Sequence, residues 1–352
     1  MLEFLLETVA KKKEEILKKL EEIEKRKEAI KPPWKDYEIR EVSGKKIAAE
    51  DGSYEVIEFR TFSFYAVASQ LFFYGEKLES LRACDIDILW PVTRSEDRLR
   101  FYMHIFESKI CLEGIRKFNP DLILLDGSLL GMLIRPFPEI FNLSAEIKEE
   151  INKKFIKSLE ENLESSVEIY TKKLWPYIQE NFPDFKIETT HYLEYVEHLL
   201  SLYRLLKVAK DKIVAIAKTS RANKYFNLGI PDMAVFEKYS KREGYSSPKH
   251  YSLELSNIKW RFPILDEEFK KLNFTIFYTR LQERKNVLKF EVPYKIEEDR
   301  MIEILENIKY ISTDGYPYLL KKAHREAIIR RKDIEHLVKL FGLVERTGRE
   351  ML

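Results

Sequence analysis

Cysteine, glycine, net charge and long apolar runs are all scarce in this 352-residue chain, and each scarcity removes a class of protein. The two cysteines, Cys84 and Cys111, lie far apart and outside any metal-ligand spacing, which excludes a disulfide framework and leaves two thiols expected to be buried. No apolar stretch approaches the roughly 18 residues of a membrane helix. The N-terminus reads as a charged helix without a small-residue cleavage site, so a soluble, cytoplasmic protein with no membrane association is expected. Glycine, at 11 residues, is too sparse for the nucleotide loops of an ATPase, and no Walker-type phosphate loop occurs. Sixty-one Lys and Arg against 59 Asp and Glu give a net charge of only +2, so any basic surface for nucleic acid must be local.

What remains is ample material for a core, 45% hydrophobic, and a charged fraction of 34% dominated by Lys, Glu and Arg, as in the ion-pair networks of heat-stable proteins. From Leu2 to Ile30 the apolar residues Leu2, Leu6, Val9, Ile16, Leu20, Ile23 and Ile30 fall on one helical stripe. This predicts a long amphipathic helix ended by Pro32-Pro33, neither of which can donate the helix hydrogen bond. Periodicity alone favours packing of that stripe on the parent domain, with dimerisation or partner docking as the sharper alternative.

The next segment, Lys45 to Asp51, reads as a strand ending in a turn, Asp51-Gly52-Ser53, whose glycine can take positive φ. Two extended segments, Arg60–Tyr74 and Leu81–Trp90, look like its antiparallel neighbours. Thr93 or Ser95 can cap a helix running to about Phe118, and Asn119-Pro120 ends it. Asp121 to Leu125 is an almost wholly apolar strand, as expected of one covered on both faces, and it ends in a second Asp-Gly-Ser, residues 126–128. Further on, residues 144–186 and 191–210 read as helical, 212–217 as a strand, 273–281 and 287–292 as a hairpin, and 297–309 and 317–341 as helices. The domain organisation expected is an N-terminal helix over 1–35, a core over 36–143 and 211–341, and a helical insertion over 144–210.

Two carboxylates at the ends of neighbouring core strands repel each other unless a cation intervenes. Hard oxygen ligands with open positions suit Mg or Mn, and a pair of such ions can activate water and stabilise a leaving oxygen. A third acid is expected from the intervening helix: Glu107, 19 residues before Asp126, or Glu113 as the rival nearer the helix end. The bland alternative makes Asp51 and Asp126 turn acids bonding local backbone. Lys218 and Arg221 directly follow a strand end, where they could hold phosphates or simply be solvated. Phe59, Phe62, Phe64, Phe72 and Phe73 read as core rather than as base-stacking platforms, and His191, His198, His250 and His336 as structural.

The order strand, two antiparallel strands, helix, parallel strand is that of a ribonuclease H-like core, a mixed sheet flanked by helices. Residues 48–53, 122–128 and the late run from Tyr316-Pro317 through Ala323-His324-Arg325 resemble the motifs of the NurA nuclease family, and the similarity spans roughly residues 45–330. The resemblance implies that Asp51, Glu107 and Asp126 bind the metal, that His324 is a further ligand or catalytic group, and that Tyr316 joins the site. It also implies a deoxyribonuclease acting on single- and double-stranded DNA ends, a 5′–3′ exonuclease with single-strand endonuclease activity. Such an enzyme prefers Mn2+, with Mg2+ possible, forms a homodimer, and works with a HerA-type hexameric ATPase in DNA-end resection. The rival readings are an actin-like ATPase, which would need two repeated domains, and a non-catalytic DNA clamp or adaptor.

Overall fold

The computed structural model of the chain describes residues 2–28, 30–135, 137, 142–254 and 261–343. Its helices are α1 (Leu2–Glu28), α2 (Ser95–Phe118), α3 (Leu129–Ile134), α4 (Ala145–Asn162), α5 (Trp175–Asn181), α6 (Lys186–Ala209), α7 (Asp232–Tyr239), α8 (Asp266–Lys270), α9 (Glu298–Tyr310), α10 (Tyr318–Ala327) and α11 (Arg331–Leu340). The strands are β1 (Trp34–Asp36), β2 (Ile47–Glu58), β3 (Ser63–Tyr74), β4 (Leu78–Leu89), β5 (Leu122–Asp126), β6 (Ile213–Ala217), β7 (Gly244–Ser246), β8 (Lys249–Ser252), β9 (Asn273–Arg280), β10 (Leu288–Val292), β11 (Ser312–Thr313) and β12 (Tyr316–Pro317). Ten of them form one sheet in the order β1-β7-β9-β10-β6-β5-β2-β3-β4, with β8 also on β9. The central strands β2, β5 and β6 run parallel, and β3 and β4 extend β2 as an antiparallel meander. This is the mixed, helix-flanked sheet that the order of segments implied.

Side chains alternate across β2 as a pleated strand requires. Ala48 packs with α2 and α6 on one face, whereas Ile47 and Ala49 pack with α9 and α10 on the other. Both faces are covered, so β5 and β6 are buried nearly throughout and their sequences run almost continuously apolar.

Several expectations change in the structure. The strand bearing Asp51 does not stop there. It continues to Glu58, and Gly52 is ordinary extended backbone paired with Ser69. Gly127, by contrast, has φ 113° and does terminate its strand. Helix α2 starts after Arg94 in left-handed conformation, with no capping side chain, so neither Thr93 nor Ser95 caps it. The single helix expected over 317–341 is two, α10 and α11. Ser53 Oγ takes the carbonyl of Ala327 and the N–H of Ile329 into its own hydrogen bonds, satisfying outside the helix two groups that continuation would have paired. Cys111 is buried as expected, but Cys84 is exposed, because β4 is the sheet's edge and its side chains point outward on alternate positions.

Helix α1 departs furthest from expectation. None of its residues is buried, and Leu2, Leu6, Val9, Ile16, Leu20 and Ile23 stay exposed. Its last turn touches α7 through Lys238, which reaches Glu28 Oε1 at 2.9 Å and Glu24 Oε2 at 3.2 Å. Packing of the stripe on the parent domain is therefore not what this chain does.

Candidate metal centre

Parallel pairing sets Glu50 opposite Leu125, so Asp51 and Asp126 come level where β5 ends. Both acids project toward the α10 side. There His324 Nδ1 lies 2.6 Å from Asp51 Oδ2, and one ligand atom from each of Asp51, Asp126 and His324 falls within 4.8 Å of the others. Lys218, the first residue after β6, donates to Asp126 Oδ2 at 2.7 Å and lies 4.8 Å above the Tyr316 ring. The two carboxylates, His324, Lys218 and Tyr316 are thus brought together from four separate stretches of sequence. Arg221 is not among them: it is exposed in the loop beyond Lys218.

From the opposite face, α2 delivers Glu107, only 5% exposed. Its position explains Gly52: an added Cβ there would stand 2.6 Å from Glu107 Oε1 and 2.8 Å from Met103 Cγ. Glycine is needed at this position for close approach of the helix and not for a turn. Glu107 shares a 2.8 Å hydrogen bond with His104 Nδ1, and Glu113, six residues on, makes none of these contacts among the described residues.

Burial, together with the charges of Asp126 and Glu107, raises the Asp51 pKa to about 7, against the lowering effect of His324. Burial and Asp126 raise that of Glu107 to about 8, although the Gly52 N–H opposes the shift. The Tyr316 hydroxyl is buried beside Asp126 and Asp51 with no well-formed hydrogen bond among the described residues, and burial with those two charges pushes its pKa far above the ordinary phenol value. It stays protonated. Asp51 and Glu107, whose neutral forms are favoured by burial and by neighbouring carboxylates, stand with Asp126 and an imidazole in a donor set that suits a divalent cation.

Two groups in the cluster escaped sequence reasoning. Glu50 is 1% exposed, its Oε2 has no partner among the described residues, and burial with the charges of Glu107, Asp51 and Asp126 drives its pKa well upward. The clue was available: in a strand covered on both faces, the neighbour of a site acid is buried too. His104 stands three residues before Glu107, the spacing at which helical side chains meet, so it too was legible. Burial, with Arg100 and Arg135 nearby, holds its pKa at about 3, so it is a neutral imidazole, and it packs against His198.

Residues 45–329 match the family model described as the NurA domain. A Methanocaldococcus jannaschii protein named "Probable DNA double-strand break repair nuclease NurA" is 31% identical over 374 residues, which cover 100% of this chain and 92% of that one. A Sulfurisphaera tokodaii protein named "DNA double-strand break repair nuclease NurA" is 28% identical, covering 91% and 88% respectively. The crystal structure of the NurA nuclease from Sulfolobus solfataricus shares the fold with a TM-score of 0.73 at 22% identity over 97% of both chains. A crystal structure of NurA with manganese does so with a TM-score of 0.77 at 16% identity over 96% of this chain and 99% of that one. The family model spans the strand of Asp51, the helix of Glu107, the strand end at Asp126 and the helix of His324 alike; this chain belongs to the NurA family.

Proposed function

We propose that the chain is a divalent-metal-dependent deoxyribonuclease that hydrolyses phosphodiester bonds at the carboxyl end of the central strand β5, where Asp51, Asp126 and His324 meet. That convergence within 4.8 Å is the observation that carries the reading. Two carboxylates and one imidazole suit Mn2+ and tolerate Mg2+. Asp51, Asp126 and His324 would hold the ion, with Glu107 completing the set from the α2 side. A divalent ion bound there supplies Lewis-acid stabilisation of phosphate oxygens and an acidified water.

The chain's own residues do the rest. His104 fixes the Glu107 carboxylate, and the Gly52 N–H donates to Asp51 Oδ1 at 2.9 Å. Lys218, partly exposed, can turn from Asp126 to a phosphate oxygen and offset its charge. Tyr316, kept protonated, can donate a hydrogen bond and not act as a base. Arg221, further out in the same loop, serves the flanking phosphates.

The relatives are named for double-strand break repair, and family membership supports the same process here. In our reading the enzyme is a 5′–3′ exonuclease with single-strand endonuclease activity on single- and double-stranded ends. It is a cytoplasmic homodimer, and a HerA-type hexameric ATPase supplies the work of ATP hydrolysis. The exposed stripe of α1 supports an assembly that covers it. No helix among the described residues is long and apolar enough to cross a membrane. We take residues 36–143 and 211–341 as the nuclease core and 144–210 as an insertion laid on α2. Release of nucleotides from end-labelled DNA with Mn2+, none in chelator, and no ATP turnover by the chain alone is the expected result. ATP turnover without cleavage would instead favour an actin-like ATPase.

A further inference from the structure

The two oxygens of the Glu107 carboxylate face different neighbours. Oε2 shares its hydrogen bond with His104 Nδ1, three residues back on α2, and the two side chains are only 6% and 12% exposed. Oε1 lies over Gly52, where an added Cβ would stand 2.6 Å from it, one residue from Asp51, and the charge of Asp126 acts on the same carboxyl. Oε1 is therefore the oxygen left for a cation at the metal centre. Which oxygen faces that way depends on the His104 ring.

A hydrogen bond orients a carboxylate only if the group that makes it is itself held. The His104 ring is flanked by that of His198 on α6, with centroids 5.4 Å apart and planes at 36°. His198 is fixed in turn: Phe101 stacks on its other neighbouring surface at 5.4 Å and 18°, and the ring donates to the Met132 carbonyl. Its Nδ1 has no partner among the described residues, so that bond runs through Nε2. Two buried ion pairs bracket the contact along α2. Arg98, six residues before His104, meets both oxygens of Glu194 at 2.8 Å, and Lys109, five residues after it, reaches Glu197 Oε1 at 2.8 Å. Separating either pair would strand a buried charge, so α6 has one position against α2. Packing alone does not call for a histidine at 198. Burying an imidazole with one nitrogen unpaired costs stability that a phenyl ring in the same place would not.

We propose that His104 and His198 are positioning residues of the metal centre: α6 holds the His198 ring, His198 holds the His104 ring, and His104 holds Glu107 Oε2, so that Oε1 alone faces the ion. This rests on the nuclease reading and makes the helical insertion part of the support of that site. Neither histidine touches the ion or the substrate; both act through Glu107.

The test is Mn2+ binding by the full chain without DNA, read from the electron paramagnetic resonance signal of the free ion. His104→Phe is expected to weaken binding about 10–100-fold, the size typical of losing a group that orients a ligand. His104→Asn, whose amide can stand where Nδ1 does, should recover most of that loss, and His198→Ala should weaken binding several-fold. In a Glu107→Gln background neither His104→Phe nor His198→Ala should weaken it further, because their route to the ion is gone. Undiminished affinity in His104→Phe, or the same fold-loss with and without Glu107→Gln, overturns the positioning role. Undiminished affinity in His198→Ala overturns the part given to α6. Mn-dependent cleavage by the unaltered chain would survive any of these results. A chain that neither binds Mn2+ nor cuts DNA would sink the nuclease reading, and this role with it.

Discussion

Asp51-Gly52-Ser53 and Asp126-Gly127-Ser128 are the same three residues on neighbouring parallel strands, yet their backbones differ. The first lies inside a 12-residue strand, with its glycine extended and facing Glu107. The second ends a 5-residue strand, with its glycine at φ 113° and nothing within 4 Å of the Cβ it lacks. Both serines fasten a helix end. Ser53 holds the junction of α10 and α11, while Ser128 caps α3 by accepting from the Gly131 N–H at 3.0 Å. Equal sequence here means equal placement of the aspartate, reached by two different uses of glycine.

The two aspartates should be interchangeable in consequence. Asp51→Asn and Asp126→Asn are each expected to drop Mn-dependent cleavage to background while the melting temperature stays level or rises, because each removes carboxylate repulsion along with a ligand. Cleavage retained by both would remove the centre from this pair of strands.

The glycines should separate. Gly52→Ala forces its Cβ against Glu107 Oε1 and Met103 and is expected to cut activity at least about tenfold by displacing the acid, the size of effect that misplacing a catalytic group readily produces. Gly127→Ala meets no neighbour and costs backbone strain, on the order of 1–3 kcal/mol, with most activity kept. Melting temperature and cleavage rate measured on both variants decide it. The reverse pattern would mean that the first glycine is a turn residue after all.

A pH series tests the repulsion itself. Asp51 rises from an ordinary 3.8 to about 7 and Glu107 from 4.5 to about 8, so the folded chain keeps protons that the unfolded chain has lost between those values. Folded-state pKa values above the unfolded ones make stability fall as pH climbs from about 4 to about 8. In chelator the melting temperature should decline across that window more steeply than in Asp51→Asn, and saturating Mn2+ should flatten it. Superimposable curves for the two proteins in chelator would show that the cluster is not under charge strain.

Much of this was legible in the sequence because the core strands obey strong rules. The apolar run before Asp126, the alternation and turns of the meander, and the helix between them each follow from burial and periodicity. The family resemblance supplied His324 and Tyr316, which on spacing alone are a helical histidine and a loop tyrosine. What stayed hidden depends on which surfaces meet. Asp-Gly reads as a turn unless one knows that α2 crosses at Gly52, and the break at Ala327 follows from a serine 274 residues earlier. Periodicity shows the amphipathic stripe of α1 but does not say what covers it.

The smallest expected effect sharpens the comparison furthest. Ser53→Ala and Ser128→Ala each remove a hydroxyl that both donates and accepts, so each should cost about 1–2 kcal/mol of stability. Their functional consequences should nevertheless differ. Ser53 Oγ accepts the Ile329 N–H at 3.0 Å and bonds the last carbonyl of α10, the helix carrying His324. Losing it loosens the side chain proposed as the third ligand while leaving Asp51 and Asp126 where the sheet puts them. Ser128 fastens α3 and Glu291, neither of which bears a ligand. Titration of Mn2+ against cleavage should therefore show a several-fold weaker apparent metal affinity in Ser53→Ala and little change in Ser128→Ala, at comparable melting temperatures. Equal affinities would detach His324 from metal binding and leave Asp51, Asp126 and Glu107 to hold the ion alone.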